Sequence, residues 1–398
     1  GKVDIVSLRG WQIDLAQGPH FVEAVLPNRP QYRKVSAYLK QENIDIKLAY
    51  VEGGDDLDAC EELLEHGEAD CVIASRAFVS NPDYAKKMCE GRGDDVVPCI
   101  RCNKCHQYKP NFWHNYCSVN PEYAISYRKN VLLDAPGAPK NVAVIGGGCA
   151  GMKAAIDLFD RGHMVTIYEK NAVLGGQLNL AGIPKSKWTQ LRFRNYLVGQ
   201  VAKRDIHVVF NTEVKPGQLD AAYDVVFVAI GAEPAKPPIP GSAELMTFQE
   251  AFEHPENVKG KAVVIGGGEI GLELSLWLLQ EHGHETMRIE MQDKLAPTMA
   301  PVHFRRPYRE MWEAQKGFSW AVNARVTRVE DGRVFYITDG VETCVEADTV
   351  ILASGTRSRS DEAMAFGCDG KFRIIGDCKE LGNIATAMRS AHFEACKI

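Results

Sequence analysis

The chain has 398 residues, 45% of them hydrophobic and 25% charged, and a formal net charge of -6, so two or three domains can each bury a core. Its Lys, Arg and His residues gather into no basic stripe, which argues against a nucleic-acid partner. No run approaches the roughly eighteen apolar residues of a membrane span, and the first residues lack the pattern of a signal peptide; the expected compartment is the cytoplasm.

The first residue is Gly1, and the chain enters at once an apolar strand, Val3 to Leu8. That reads as an internal cut, with part of a domain expected upstream. A polar irregular stretch follows, then strand Ile46 to Val51, a helix, strand Cys71 to Ala74 and another helix. In Leu57 to His66 the apolar positions Leu57, Cys60, Leu63 and Leu64 fall at helical spacing on one face. Short apolar strands alternating with helices predict a parallel sheet or barrel. Three strands cannot close a barrel, so on the barrel reading residues 1–98 are only the C-terminal part of one.

Next comes CIRCNKC and, after an aromatic-rich loop, CSVNP, which places Cys99, Cys102, Cys105 and Cys117 at the C-x2-C-x2-C…C spacing of an iron–sulfur cluster. A four-cysteine zinc knuckle is the plainer alternative, although such sites pair two C-x2-C arms across a longer gap. Among the other cysteines, Cys60, Cys71, Cys149 and Cys344 read as small buried hydrophobes.

A linker with Pro136, Gly137 and Pro139 leads to strand Val142 to Ile145 and then GGGCAG, in which Gly146, Gly148 and Gly151 have the G-x-G-x-x-G spacing. The next strand, Met164 to Tyr168, ends at Glu169, where an acid can bind a ribose hydroxyl. The pattern then repeats. Ala262 to Ile265 lead into Gly266, Gly268 and Gly271, a helix spans Leu272 to Leu279, and Glu290 ends the following strand. Arg288 lies two residues before Glu290 on the same side of that strand, where it can soften the repulsion of a 2′-phosphate. Asp331-Gly332 and Asp339-Gly340 predict hairpin turns. Near the end, RIIGDC puts Asp377 after a short strand, ahead of a helix from Asn383 towards Ala395. Such a carboxylate can accept a hydrogen bond from a flavin ribityl hydroxyl, or serve merely as a turn or cap acid.

This order of parts resembles the NADH:flavin oxidoreductase family of 2,4-dienoyl-CoA reductase, 2-enoate reductase and trimethylamine dehydrogenase. The resemblance covers nearly the whole chain. It implies an α/β fold: the C-terminal part of a (β/α)8 barrel over residues 1–98, a cluster segment and linker over 99–138, an FAD-binding domain over 139–235 and 358–398, and an NAD(P)H-binding domain over 236–357. It implies that Cys99, Cys102, Cys105 and Cys117 ligate a 4Fe-4S cluster. FAD would meet Gly146, Gly148, Gly151, Glu169, Lys170, Gly175, Gly176, Gln177 and Asp377. NAD(H), with NADPH the less favoured form, would meet Gly266, Gly268, Gly271 and Glu290. Gly53, Gly54, Ser75 and Arg76 match the family's FMN phosphate contacts, and FMN is implied where the barrel is complete. The substrate-protonating residue is expected upstream of Gly1.

The function implied is electron flow from NAD(P)H through FAD and the cluster to FMN and an α,β-unsaturated acid or thioester. Two alternatives stand beside it: an amine dehydrogenase or demethylase on the same scaffold, and an electron-transfer module inactive by itself. The implied partners are the nicotinamide cofactor and that small molecule, without nucleic acid or membrane, and with homo-oligomerisation left open.

Overall fold

The computed structural model describes residues 3–7, 29–51, 56–102, 104–106, 116–125, 137–219, 221–297, 309, 312–367 and 369–398. They divide into two compact units: residues 1–227, 370–375 and 382–398 make the first, and residues 228–369 and 376–381 the second. Among the described residues no helix is long and apolar enough to cross a membrane.

The first unit opens with β1 (Ile5–Ser7), α1 (Arg29–Gln41), β2 (Lys47–Val51), α2 (Leu57–Glu65) and β3 (Cys71–Ile73), followed by the short helices α3 (Ser75–Ser80) and α4 (Tyr84–Cys89). The strands form a parallel sheet in the order β1-β2-β3. Leu48 and Tyr50 of β2 pack with Tyr32, Cys60 and Leu63 from the two helices. Asp56 caps α2 by accepting a hydrogen bond from the Ala59 N–H at 3.1 Å. Two expectations are corrected here. Leu64 is exposed rather than part of the buried face of α2. The stretch expected to be irregular contains α1, whose apolar residues are interspersed with four basic ones; Arg29 and Arg33 each reach Glu68 at 2.7 Å, so part of that charge is spent on tertiary pairing.

The same unit continues with β4 (Asn141–Ile145), α5 (Cys149–Asp160), β5 (Met164–Tyr168), α6 (Gln177–Ala181), α7 (Trp188–Lys203), β6 (His207–Val209) and β7 (Val225–Val228). The sheet order is β7-β4-β5-β6, and a returning strand, Phe372–Ile374, lies on the outer side of β7. Strands β4 and β7 are buried almost throughout, as befits a sheet covered on both faces.

The second unit repeats the plan. Its elements are β8 (Ala232–Pro234), β9 (Met246–Thr247), α8 (Phe248–Glu253), β10 (Ala262–Ile265), α9 (Glu269–His282), β11 (Thr286–Ile289), β12 (Phe318–Ala321), β13 (Arg325–Glu330), β14 (Arg333–Thr338), β15 (Val341–Glu346), β16 (Thr349–Leu352), β17 (Thr356–Ser358) and α10 (Ser360–Met364). A parallel sheet runs β12-β11-β10-β16-β9, and β13-β14-β15 form an antiparallel meander. Both expected hairpin turns are present, with positive φ at Asp331, Gly332, Asp339 and Gly340. Cys344 on β15 is exposed, and Cys71 and Cys149 are only half-buried; of the four cysteines read as core residues, Cys60 alone is buried. The alternation along β15 points it outward on a sheet edge, where a small thiol meets water.

The chain ends in α11 (Ile384–Ala395), whose N-cap Asn383 accepts from the Ala385 and Thr386 N–H groups. This helix packs on α5, and Arg161 Nη2 donates to the Cys396 carbonyl at 3.1 Å.

Candidate functional site

Each repeat unit builds the same turn between its first strand and first helix. Gly146 has φ of 102° and Gly266 of 117°, a region that L side chains seldom enter. Gly148 and Gly268 then occupy the N-cap positions of α5 and α9. Neither helix start carries a side-chain cap, so their first N–H groups are presented to a ligand, with the helix dipole favouring an anion. A Cβ on Gly151 would run into the Gly146 carbonyl oxygen, and one on Gly271 would lie 2.9 Å from the Gly266 carbonyl oxygen. The third glycine thus lets the helix close tightly onto the turn.

The strand-end acids face these turns. Glu169 is buried; its Oε2 accepts from the Gly147 N–H and its Oε1 from the Asn171 N–H, both at 2.8 Å. Glu290 is buried in the corresponding place and accepts from the Gln292 N–H at 2.7 Å. A return loop bonds to the middle glycine of each turn. The Gly175 N–H donates to the Gly147 carbonyl at 2.9 Å, and the Ala296 N–H to the Gly267 carbonyl at 2.6 Å. Gly176 approaches so closely that a Cβ on it would lie 2.9 Å from the Gly148 Cα. Lys170 and Gln177 are exposed beside this turn, Gln177 as the first residue of α6.

Arg288 differs from its expected place. It does share a strand side with Glu290, but that side points inward. The guanidinium is fully buried, and Nη2 donates to the Gly266 carbonyl at 2.6 Å and the Gly268 carbonyl at 3.1 Å. Burial pushes its pKa down to about 9, opposed by the charge of Glu290. Asp377 lies in a 3-10 turn, Gly376–Cys378, and its carbonyl accepts from the Ser358 hydroxyl at 2.7 Å. The cap of the last helix is Asn383, not Asp377.

In the first unit, Cys99, Cys102, Cys105 and Cys117 line one cavity together with Arg76, Val79, Ile100, Ser118 and Val119. Among the described residues no three His, Cys, Asp or Glu side chains converge on a point fit for a single ion. The sulfurs are embedded in donors: the Arg101 N–H reaches Cys99 Sγ at 3.3 Å, and Cys102 Sγ lies 3.1 Å from the Ser118 hydroxyl. Burial, with the neighbouring Cys102 and Cys117, pushes the Cys105 thiol up to about 11; burial also raises Cys117. Ser75 is exposed at the start of α3, while Arg76 turns towards the cysteine cavity. Gly53 and Gly54 lie outside the described residues.

One structural partner of the cysteine loop carried no signal in the sequence. Trp188, at the start of α7, is flanked by Arg101 and Arg192, whose guanidinium carbons lie 5.0 and 5.1 Å from its ring. The neighbouring Thr189 hydroxyl donates to the Ile100 carbonyl at 3.3 Å. These contacts tie the cysteine loop to α7. They join residues remote in sequence, so no local spacing announces them.

Residues 140–377 match the sequence family described as Pyridine nucleotide-disulphide oxidoreductase. The bilirubin reductase of Mediterraneibacter gnavus is 31% identical over 360 residues, covering 88% of this chain and 55% of that protein. The cinnamate reductase of Clostridium sporogenes is 27% identical over 372 residues, covering 91% and 56%. A solved 2-naphthoyl-CoA reductase in complex with 2-naphthoyl-CoA superposes with a TM-score of 0.85 at 26% identity, covering 92% of this chain and 56% of that one. The resemblance drawn from the sequence is borne out by these relatives, as is the α/β architecture with paired dinucleotide folds. The chain spans about half the length of the curated relatives it matches.

Proposed function

This chain belongs to the pyridine nucleotide-disulphide oxidoreductase family, and on that footing we propose that it is an iron–sulfur flavoprotein moving electrons from NADH towards an α,β-unsaturated carbonyl compound. The observation that carries this reading is the pairing of two dinucleotide turns with four thiols around one cavity. FAD is assigned to the first turn, where Gly146, Gly148 and Gly151 open the helix start to a pyrophosphate and the buried Glu169 is oriented for a ribose. NADH is assigned to the second, with Gly266, Gly268, Gly271 and Glu290. A 4Fe-4S cluster is assigned to Cys99, Cys102, Cys105 and Cys117, and FMN phosphate contacts to Ser75 and Arg76.

The chemistry supplied when these groups are bound is the division of a hydride's electron pair into single electrons. The chain's own residues bind and insulate. The uncapped helix starts hold anionic phosphates through backbone N–H groups. Cys99 and Cys117 are buried and Cys102 and Cys105 half-buried, which limits the access of water to the thiols, and the Arg101–Trp188–Arg192 stack anchors their loop.

Anaerobic purification followed by iron, labile sulfide and flavin analysis tests the assignment. Cys102→Ser is expected to lose iron and sulfide together while keeping FAD, because the first turn is built from its own glycines and acid. Zinc in place of iron and sulfide would sink the cluster assignment. A panel of enoates, enoyl thioesters and amines, offered with NADH or an oxidant, then separates the reductive direction from amine oxidation.

The choice of NADH rests on Glu290, whose carboxylate can accept from both ribose hydroxyls and repels a 2′-phosphate. Glu290→Ala is expected to narrow the NADH preference by about 1 to 2 kcal/mol, the scale of a charged hydrogen bond. Reduction of bound FAD by each nucleotide measures it; a tenfold wild-type preference for NADPH would contradict the assignment.

A further inference from the structure

A guanidinium buried as completely as that of Arg288 is costly to keep unless it is paired. Only Nη2 has hydrogen-bond partners here, the Gly266 and Gly268 carbonyls; among the described residues Nε and Nη1 have none. Among the described residues no carboxylate forms an ion pair with it, although the charge of Glu290 acts on it from nearby. Ordinary core packing would be served better by an apolar side chain.

The internal repeat supplies the control. In the first unit Val144 pairs with Ile167, and in the second Val264 pairs with Arg288, at the same step of the same two strands. Ile167 is fully buried, and its turn adopts the same positive φ at the first glycine. An apolar residue at this position is therefore compatible with the turn. The arginine must act on something the two turns do not share.

Its contacts say what that is. The carbonyl oxygens are the negative ends of the turn's peptides, and they would repel a phosphate if they faced it. Arg288 holds two of them from the buried side and places a positive charge beneath the start of α9, adding to the helix dipole. Above the turn, a Cβ on Gly268 would meet nothing within 4 Å, so that side is open to a ligand.

We propose that Arg288 is a positioning residue for the nicotinamide nucleotide: a buried cation that pairs with the Gly266 and Gly268 carbonyls from beneath and strengthens the second turn's hold on a pyrophosphate. The inference rests on reading that turn as the nicotinamide site. It distinguishes a turn that must capture a diffusing dinucleotide from one that keeps its nucleotide through many contacts.

The test uses the full chain with its flavin, comparing wild type with Arg288→Met, Arg288→Ile (which copies the first turn) and Arg288→Lys. Calorimetric titration with NAD+ is expected to show binding weakened about tenfold in the methionine and isoleucine variants, the effect of losing a charge-assisted contact. The lysine variant is expected to recover part of the loss. In flavin reduction by NADH, KM is expected to rise with the loss of affinity while the saturating rate stays within about twofold and FAD content is unchanged. A purely structural role would lower FAD content or the saturating rate instead, and overturn the proposal. So would wild-type affinity for NAD+ in the methionine variant. Should both apolar variants fail to fold, the lysine variant decides: weakened NAD+ binding with normal FAD content supports the proposal, and wild-type binding overturns it. A wild-type protein that takes up neither NAD+ nor NADH would refute the nicotinamide reading of the turn itself, whatever the variants do.

Discussion

Gly151→Ala is expected to strip the chain of flavin. The added methyl group would run into the Gly146 carbonyl oxygen, and a further backbone carbon of Gly146 and a methyl of Val144 lie close behind it. The obstacle is backbone, which cannot rotate aside as a side chain can, so α5 must lift away from the turn. Overpacking in a close-packed interior costs about 1 to 3 kcal/mol, and here it falls on the segment proposed to hold the pyrophosphate. Flavin content after gel filtration and the far-UV spectrum together check the result: loss of FAD with helix content retained is the expected outcome. A variant that retains stoichiometric FAD would show that the third glycine is dispensable. Alanine at Gly199, where a Cβ meets nothing within 4 Å, is the matched control.

The second large effect is expected at His392. This residue on α11 is buried; its Nδ1 lies 2.9 Å from Asp157 Oδ2 on α5 and its Nε2 lies 3.5 Å from Glu122. Burial opposes the charge, but hydrogen bonds with Asp157, Cys396 and Glu122 outweigh it and raise the imidazole pKa to about 10. Burial likewise opposes the Asp157 carboxylate, and Lys153 and His392 hold its pKa below the ordinary range. The native state therefore binds a proton at His392 that the unfolded chain, with a histidine pKa near ~6.5, releases. Stability from this group is full below about pH 6.5 and drains away as the pH rises towards 10, by at most about 1.4 kcal/mol per pH unit. Asp157 works at the other end, contributing above its unfolded pKa of ~3.9 and losing that contribution in acid. His392→Ala leaves the half-buried Asp157 carboxylate without its main partner on the facing helix and is expected to cost about 3 kcal/mol. Thermal release of FAD, followed by its fluorescence between pH 6 and 9.5, measures both effects. Wild type is expected to lose stability steadily across that window, and the variant to start lower and change less. Parallel curves would show that the pair does not govern the pH response.

The turns were legible because their chemistry is local. A strand, three glycines at fixed spacing, a helix and an acid at the next strand end are all written within a short stretch, and only glycine fits the first and third places. Hairpins at Asp331-Gly332 and Asp339-Gly340 were legible for the same reason. Burial was not. Period-two alternation put Arg288 and Glu290 on one side of β11, but alternation does not say which side faces the core, and a charged residue biases the reader towards solvent. The apolar periodicity of α1 is diluted by residues such as Arg29 and Arg33, whose partner Glu68 lies far along the chain. The four thiols of the cysteine cavity follow from spacing alone, whereas Arg76 lines the cavity from the segment before the motif, and Trp188, which meets Arg101 of the cysteine loop, comes from a helix about seventy residues beyond Cys117.

The returning strand also dictates an order of assembly. All four residues of β7 are buried, and the Val226 N–H bonds to the Lys371 carbonyl at 3.0 Å. During synthesis β7 leaves the ribosome long before that partner, with the whole second unit still to come. Throughout this interval the first sheet carries a bare apolar edge, the kind of surface that recruits strands from other chains. The second unit is free to fold meanwhile, since its main parallel sheet and its meander draw their strands from residues 246–352. The unit that begins first is therefore completed last, and the closing stretch of the chain decides whether that edge pairs within the molecule or outside it.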